Sequence, residues 1–142
     1  MQSAIEQALK CTIDVPIGCV IKKDGKIIAS AHNRREEDND VTAHAEILAI
    51  KEAQKVLGTS RLNECEMYVT LEPCPMCSWA ILMSGIKILY FGAYNPDYGV
   101  FISNPQCLPP KINPKKLPLK IYGGIEEEKC GKILEEFFKK LR

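Results

Sequence analysis

The residues of this chain whose types and spacing can do chemistry are His44, Glu46 and the run Cys74-Pro75-Met76-Cys77. One imidazole and two thiolates are donors that bind zinc. Three protein ligands leave a coordination position open for water, whereas four close the site and make it structural. One helical turn across Cys-x-x-Cys brings both sulfurs to the same side. His44 and Glu46 lie two residues apart, so on a helix they point in different directions. The histidine is then free to coordinate while the carboxylate faces water and substrate. Zinc brings the pKa of a bound water toward neutrality, and a carboxylate beside it can move protons. The set reads as a zinc-water hydrolase acting on a small planar substrate.

Two other readings account for less. A thioredoxin-like redox pair explains Cys-Pro-Met-Cys after a strand but leaves His44 and Glu46 without a role. A closed structural site needs a fourth ligand. Cys65, nine residues before Cys74, would fall at the far end of the intervening strand. Coincidence explains a lone Cys-x-x-Cys but not the whole pattern. His32, the other histidine, reads as a surface or loop residue.

These residues need helices that begin beside one another. Residues 2–11 read as a short first helix, and Pro16 ends it. Residues 17–23 and 26–31 read as strands joined by Asp24-Gly25, a pair suited to a two-residue type I′ turn. Residues 34–40 read as a loop. Thr42 is the expected cap of a helix running to Leu57 and stopped by Gly58. Residues 67–71 alternate as a strand. Pro75 and Gly85 bracket a helix over 75–84 that is apolar nearly all round, so more than one side should be covered, within the domain or at a subunit contact. Residues 86–91 read as a strand, 92–116 as a long irregular segment, and 117–122 as an edge strand weakened by Pro118. A last helix over 125–141 has Glu126 to Glu128 at its start and Lys139, Lys140 and Arg142 at its end. The expected fold is α/β, with a mixed sheet of about five strands and helices on both faces.

With 142 residues, the chain reads as a single domain over 1–142. A hydrophobic fraction of 46% and a charged fraction of 26% suit a soluble globular protein. The apolar run from Trp79 to Met83 is too short to cross a bilayer, and the polar N-terminus reads as helix rather than as a secretory leader. Seven cysteines, an odd number, argue against a disulfide framework. Cys11, Cys19, Cys65, Cys107 and Cys130 read as reduced, mostly buried thiols of a cytoplasmic protein. A net charge of +1 gives no global basic field. A local phosphate-binding surface could still form from Arg34, Lys115, Lys116, Lys120, Lys139, Lys140 and Arg142.

The H-x-E…P-C-x-x-C pattern matches the signature of zinc nucleobase deaminases. The wider sequence resembles bacterial tRNA-specific adenosine deaminases over essentially its whole length. The resemblance is carried by Val15-Pro16-Ile17-Gly18, His32-Asn33-Arg34, Thr42 to Ile47, Tyr68 to Cys77, Phe91-Gly92-Ala93 and Phe137-Phe138. It implies a cytidine-deaminase-like three-layer α/β/α sandwich, a homodimer, and conversion of adenosine to inosine at the wobble position of a tRNA anticodon stem-loop. It implies one zinc per subunit on His44, Cys74 and Cys77, with Glu46 as proton shuttle. Asn33 would hydrogen-bond the flipped base. Val15, Pro16 and Ile17 would line the pocket, with Ala45 and Asn95 also at the substrate. Tyr94, Tyr98 and Phe138 are candidates for stacking on neighbouring bases, although Phe138 reads rather as core. One departure stands out: Asn95 occupies a place where the family carries aspartate, and Asp97 could replace the lost charge. A deaminase of a free base or nucleotide (guanine, cytosine or a pyrimidine nucleotide) shares the zinc motif and is the main alternative. A catalytically silent partner subunit is disfavoured by the intact Glu46.

Overall fold

The computed structural model describes residues 1–141. The elements run α1 (Gln2–Ala8), β1 (Gly18–Lys23), β2 (Lys26–His32), α2 (Ala45–Leu57), β3 (Cys65–Leu71), α3 (Pro75–Ser84), β4 (Ile88–Ala93), β5 (Lys120–Tyr122) and α4 (Glu127–Lys140). The strands form one sheet in the order β2-β1-β3-β4-β5. β1 is antiparallel to both of its neighbours, whereas β3, β4 and β5 are parallel. The connections explain this. Asp24 and Gly25 both have positive φ (50° and 76°), as a type I′ reversal requires. Between β3 and β4 the chain crosses over through α3, which returns it in the same direction.

Helices cover both faces. α2 packs on β1, β2 and α3, while α1 lies on β1 and α4 on β4. Alternate strand residues Cys19, Ile21, Met67, Val69, Leu89 and Phe91 build the main core with Ala45, Ala49, Ile50 and Ala53 of α2. A smaller cluster joins Ile5, Ala93 and Cys130 with Leu71, Ile133 and Leu134. Two strand glycines let the second helix layer approach. A Cβ on Gly18 would fall 1.9 Å from the Ala4 carbonyl oxygen, and one on Gly92 would fall 2.3 Å from Cys130 Sγ. On three adjacent strands Tyr68, Tyr90 and Tyr122 stack with centroids 4.5 and 5.4 Å apart. The Lys22 ammonium sits 4.9 Å from the Tyr68 ring centre.

Several expected boundaries move. α1 ends at Ala8 rather than at 11, and the Cys11 thiol turns toward the carbonyls of Ile17 and Asn33. β4 lies two residues later than expected, which puts Phe91-Gly92-Ala93 inside the strand. β5 keeps only Lys120–Tyr122. Pro118, which has no N–H to give a ladder, falls just before it. Thr42 does not cap α2. Asp40 Oδ1 accepts both the Thr42 N–H (2.8 Å) and its hydroxyl (2.7 Å), so that hydroxyl is already committed. Gly58 and Gly85 end α2 and α3 in the left-handed conformation, as expected. Phe138 is not core: it is 48% exposed, in edge contact with Phe137. Cys107 is exposed and Cys11 half-buried, while Cys19, Cys65 and Cys130 are buried thiols. Among the described residues no helix is long and apolar enough to cross a membrane.

Candidate active site

α2 and α3 place their first residues at the same end of the sheet. His44 and Cys74 are the N-cap residues of these helices, both extended (φ −75°, ψ 152° and φ −71°, ψ 173°). Neither side chain caps its own helix. The imidazole and the thiol are therefore free to face each other. His44 Nδ1 lies 3.6 Å from Cys74 Sγ and 3.5 Å from Cys77 Sγ. The three donor atoms all fall within 4.8 Å of one another. Cys77 sits on the first turn of α3, fully buried. Two sulfurs and one imidazole nitrogen are the donor chemistry that zinc prefers, and three of them leave a position open. The residues present thus fit a zinc ion. Cys65 begins β3, at the opposite end of the strand, and does not join the group. Glu46 also stays outside the donor set.

The charges fit this arrangement. A hydrogen bond from Cys77, with help from His44, brings the Cys74 thiol down to about 4 against the opposing effect of burial. The same contact and burial push Cys77 up, so the two sulfurs share one proton. Contact with Cys74 raises His44. Glu46 is buried, and burial, followed by the nearby Cys74 charge, raises its carboxyl to about 7. A carboxyl tuned near neutrality can both accept and return a proton.

Above these groups lies a cavity of about 500 Å³, large enough for a nucleobase. His44, Glu46 and Cys74 form its reactive wall, Ile17 and Leu71 an apolar wall, and Arg35, Glu72, Asn95 and Tyr98 the remainder. Of the residues expected at the substrate, Ile17 and Asn95 therefore reach the cavity. Val15, Pro16, Ala45 and Asn33 are not among the residues that line it. Ala45 is fully buried at the start of α2. Asn33 is 7% exposed and braces the wall. Its amide donates to the Val15 carbonyl (3.1 Å), its Oδ1 accepts from the Arg35 N–H (3.2 Å), and its own N–H donates to the Ile17 carbonyl (2.9 Å). Arg34, expected at phosphate, forks instead onto Asp38 at 2.9–3.1 Å. Lys115, Lys116, Lys120, Lys139 and Lys140 are exposed, and Arg142 lies outside the described residues.

Arg35, Leu71 and Glu72 are the cavity residues that sequence reasoning missed. Arg35 carries no signal that separates it from Arg34. Glu72 sits inside the Glu-Pro-Cys run, so its place before the candidate ligand Cys74 is visible in the sequence, but its partners are far along the chain.

A mixed sheet between helix layers, with this donor set at paired helix starts, defines a hydrolytic deaminase of the cytidine-deaminase-like class. Residues 1–142 match the family model of MafB19-like deaminases. The tRNA-specific adenosine deaminase of Bacillus subtilis (strain 168) is 43% identical, over all of this chain and 88% of that protein. That of Aquifex aeolicus (strain VF5) is 46% identical, over 91% of this chain and 83% of its own length. A solved chain from work on A-to-I editing by tRNA:A34 deaminases at the wobble position of transfer RNA superimposes with a TM-score of 0.82. It is 40% identical and the match covers 94% of this chain and 97% of that one. The chain belongs to the family of tRNA-specific adenosine deaminases.

Proposed function

We propose that this chain, as one deaminase domain over residues 1–142, converts adenosine to inosine at the wobble position of a tRNA anticodon. The observation that carries the reading is the division of labour at the cavity. Three soft donors converge, while the buried Glu46 stands beside them with a carboxyl raised toward neutrality. His44, Cys74 and Cys77 would hold zinc, which supplies a water of near-neutral pKa. Glu46 takes a proton from the attacking water and passes it to a ring nitrogen of adenine. It then takes the remaining proton from the hydroxyl added at C6 and delivers it to the exocyclic amine, which departs as ammonia. Water adds at C6 and the C6–N bond breaks, leaving inosine.

The base must leave any stack to enter the cavity, at a cost of a few kcal/mol that is least in a single-stranded loop. An anticodon loop meets that requirement. Asn33 keeps a second amide hydrogen and a second oxygen lone pair beyond its bonds to Val15 and Arg35, and these are assigned to the base. Val15, Pro16 and Ala45 are assigned to the substrate side with it, and Asn95, which lines the cavity, meets the substrate. Tyr98 and Tyr94, 68% and 40% exposed, are the residues assigned to stack on flanking bases. The working unit is read as a cytoplasmic homodimer. α3 presents Trp79 and Met83 outward at 43% and 67% exposure, an apolar face suited to a second copy.

Ammonia release from a tRNA anticodon stem-loop, cytidine, cytosine and guanine tests the reading. Activity confined to the stem-loop is expected. Preferred turnover of a free base or nucleoside would replace the tRNA reading. Glu46→Gln should keep its zinc and lose 10²-fold or more in kcat, on the order of a general acid–base contribution. Near wild-type turnover by that variant would remove Glu46 as the shuttle.

A further inference from the structure

Glu72 is a buried carboxylate, 1% exposed, that the proton chemistry leaves unused. Hydrogen-bond donors from one distant loop meet it. Its Oε1 accepts the Asn95 N–H (3.1 Å) and the Ser103 hydroxyl. Its Oε2 accepts the Ile102 N–H (2.9 Å) and the Ser103 N–H (2.8 Å). Between these donors the chain passes against the carboxylate itself. A Cβ on Gly99 would stand 2.4 Å from both Glu72 Cδ and Oε1. The loop then closes on itself. Asn95 accepts from the Gly99 N–H at its carbonyl (2.8 Å) and from the Tyr98 N–H at its side chain (3.2 Å). The Asn104 amide donates to the carbonyls of Pro96 and Gly99, each at 2.8 Å. One further bond, from the Val100 N–H to the Pro73 carbonyl (3.1 Å), ties the loop to the segment that leads into Cys74.

We propose that Glu72 is a positioning residue for base recognition, its buried carboxylate being the template on which the 95–103 loop folds to present Asn95 and Tyr98 to the substrate. The inference rests on the cavity being the substrate pocket. Four converging donors require a group that only accepts. An ionised carboxylate does, whereas a glutamine amide would turn an NH₂ toward an N–H. Such an unsatisfied buried pairing opens the loop rather than the metal segment, because the bonds in question lie on the loop side.

Glu72→Gln attacks the template, and Gly99→Ala attacks it from the loop while leaving Glu72-Pro73-Cys74 unchanged. Ser103→Ala removes one of the four donors and gives a milder form. Three quantities are read: zinc per chain, amide hydrogen exchange at Asn95, Ile102 and Ser103, and steady-state ammonia release from the anticodon stem-loop. Glu72→Gln and Gly99→Ala are expected to keep zinc, lose at least tenfold in amide protection, and raise KM at least tenfold with kcat within threefold. Ser103→Ala should fall between them and wild type. Unchanged protection in both stronger variants overturns the template. So does a fall in kcat with loss of zinc at constant KM, which would make Glu72 a support of the metal segment. Exchange needs no substrate, so a wild-type protein inactive on the stem-loop would sink the substrate reading and leave the template to be judged on protection alone.

Discussion

Gly18→Ala probes how the second helix layer is seated on the sheet. Gly18 is not in the left-handed region, so alanine meets no backbone penalty there and the effect is steric. Its Cβ would lie 1.9 Å from the Ala4 carbonyl oxygen and 2.4 Å from the Ala8 nitrogen, both backbone atoms that no rotamer change can move. An ordinary contact requires α1 to withdraw by at least about 1.5 Å. α1 buries Ala4, Ile5 and Ala8 almost completely. Full undocking would expose one isoleucine and two methyl groups, about 3–4 kcal/mol, and overpacking without undocking costs about 1–3 kcal/mol. The expected loss is therefore about 2–4 kcal/mol, read as a lower urea midpoint at unchanged m-value. The retreat should also loosen the segment from Cys11 to Ile17, so KM should rise. Gly131→Ala is the control. It lies in α4 with nothing within 4 Å of the added Cβ, and should stabilise by about 0.5–1 kcal/mol. A Gly18→Ala midpoint within experimental error of wild type would refute the seating of α1 described above.

Two more outcomes follow from the site and its surroundings. Glu46 must be ionised to accept a proton, and its folded pKa is raised, so activity is lost as pH falls through that higher value. A bound cation offsets the Cys74 charge but leaves burial, the larger cause, in place. The acid limb of kcat/KM should therefore lie above 4.5 and toward about 7, and a profile flat down to pH 4.5 would contradict the assignment. Met83→Glu, on the exposed face of α3, should change stability by less than about 0.5 kcal/mol while converting a dimer to monomers in sedimentation; a monomeric wild type would remove the dimer.

Much of this architecture was legible because it is written locally. Asp24-Gly25, Gly58 and Gly85 each impose a backbone conformation on their own neighbourhood, and strand alternation from Cys19 to Phe91 marks the core face. His44, Cys74 and Cys77 declared themselves by donor chemistry. The three donor atoms converge, with His44 two positions earlier in its helix than a Thr42 cap would have it, because His44 itself occupies the N-cap. What stayed hidden depends on competition or on distance. Thr42 looks like a cap until Asp40 is seen to take its hydroxyl. Phe138 looks like core until α4 is placed, and its neighbour Phe137 takes the inner position. Glu72 bonds to residues 23 to 31 positions away, beyond the reach of any periodic pattern.

The way Glu72 grips its loop bears on how this enzyme could change over evolutionary time. Three of its four bonds go to main-chain N–H groups, which almost any residue supplies. Only Ser103, by its hydroxyl, and Gly99, by its lack of a side chain, are held to their identity. The residues between can be exchanged without rebuilding the anchor. Asn95 standing where relatives are expected to carry aspartate is an exchange of that kind. This part of the cavity wall is thus a replaceable cassette on a fixed clasp, and the segment next to it that leads into Cys74 need not register the exchange.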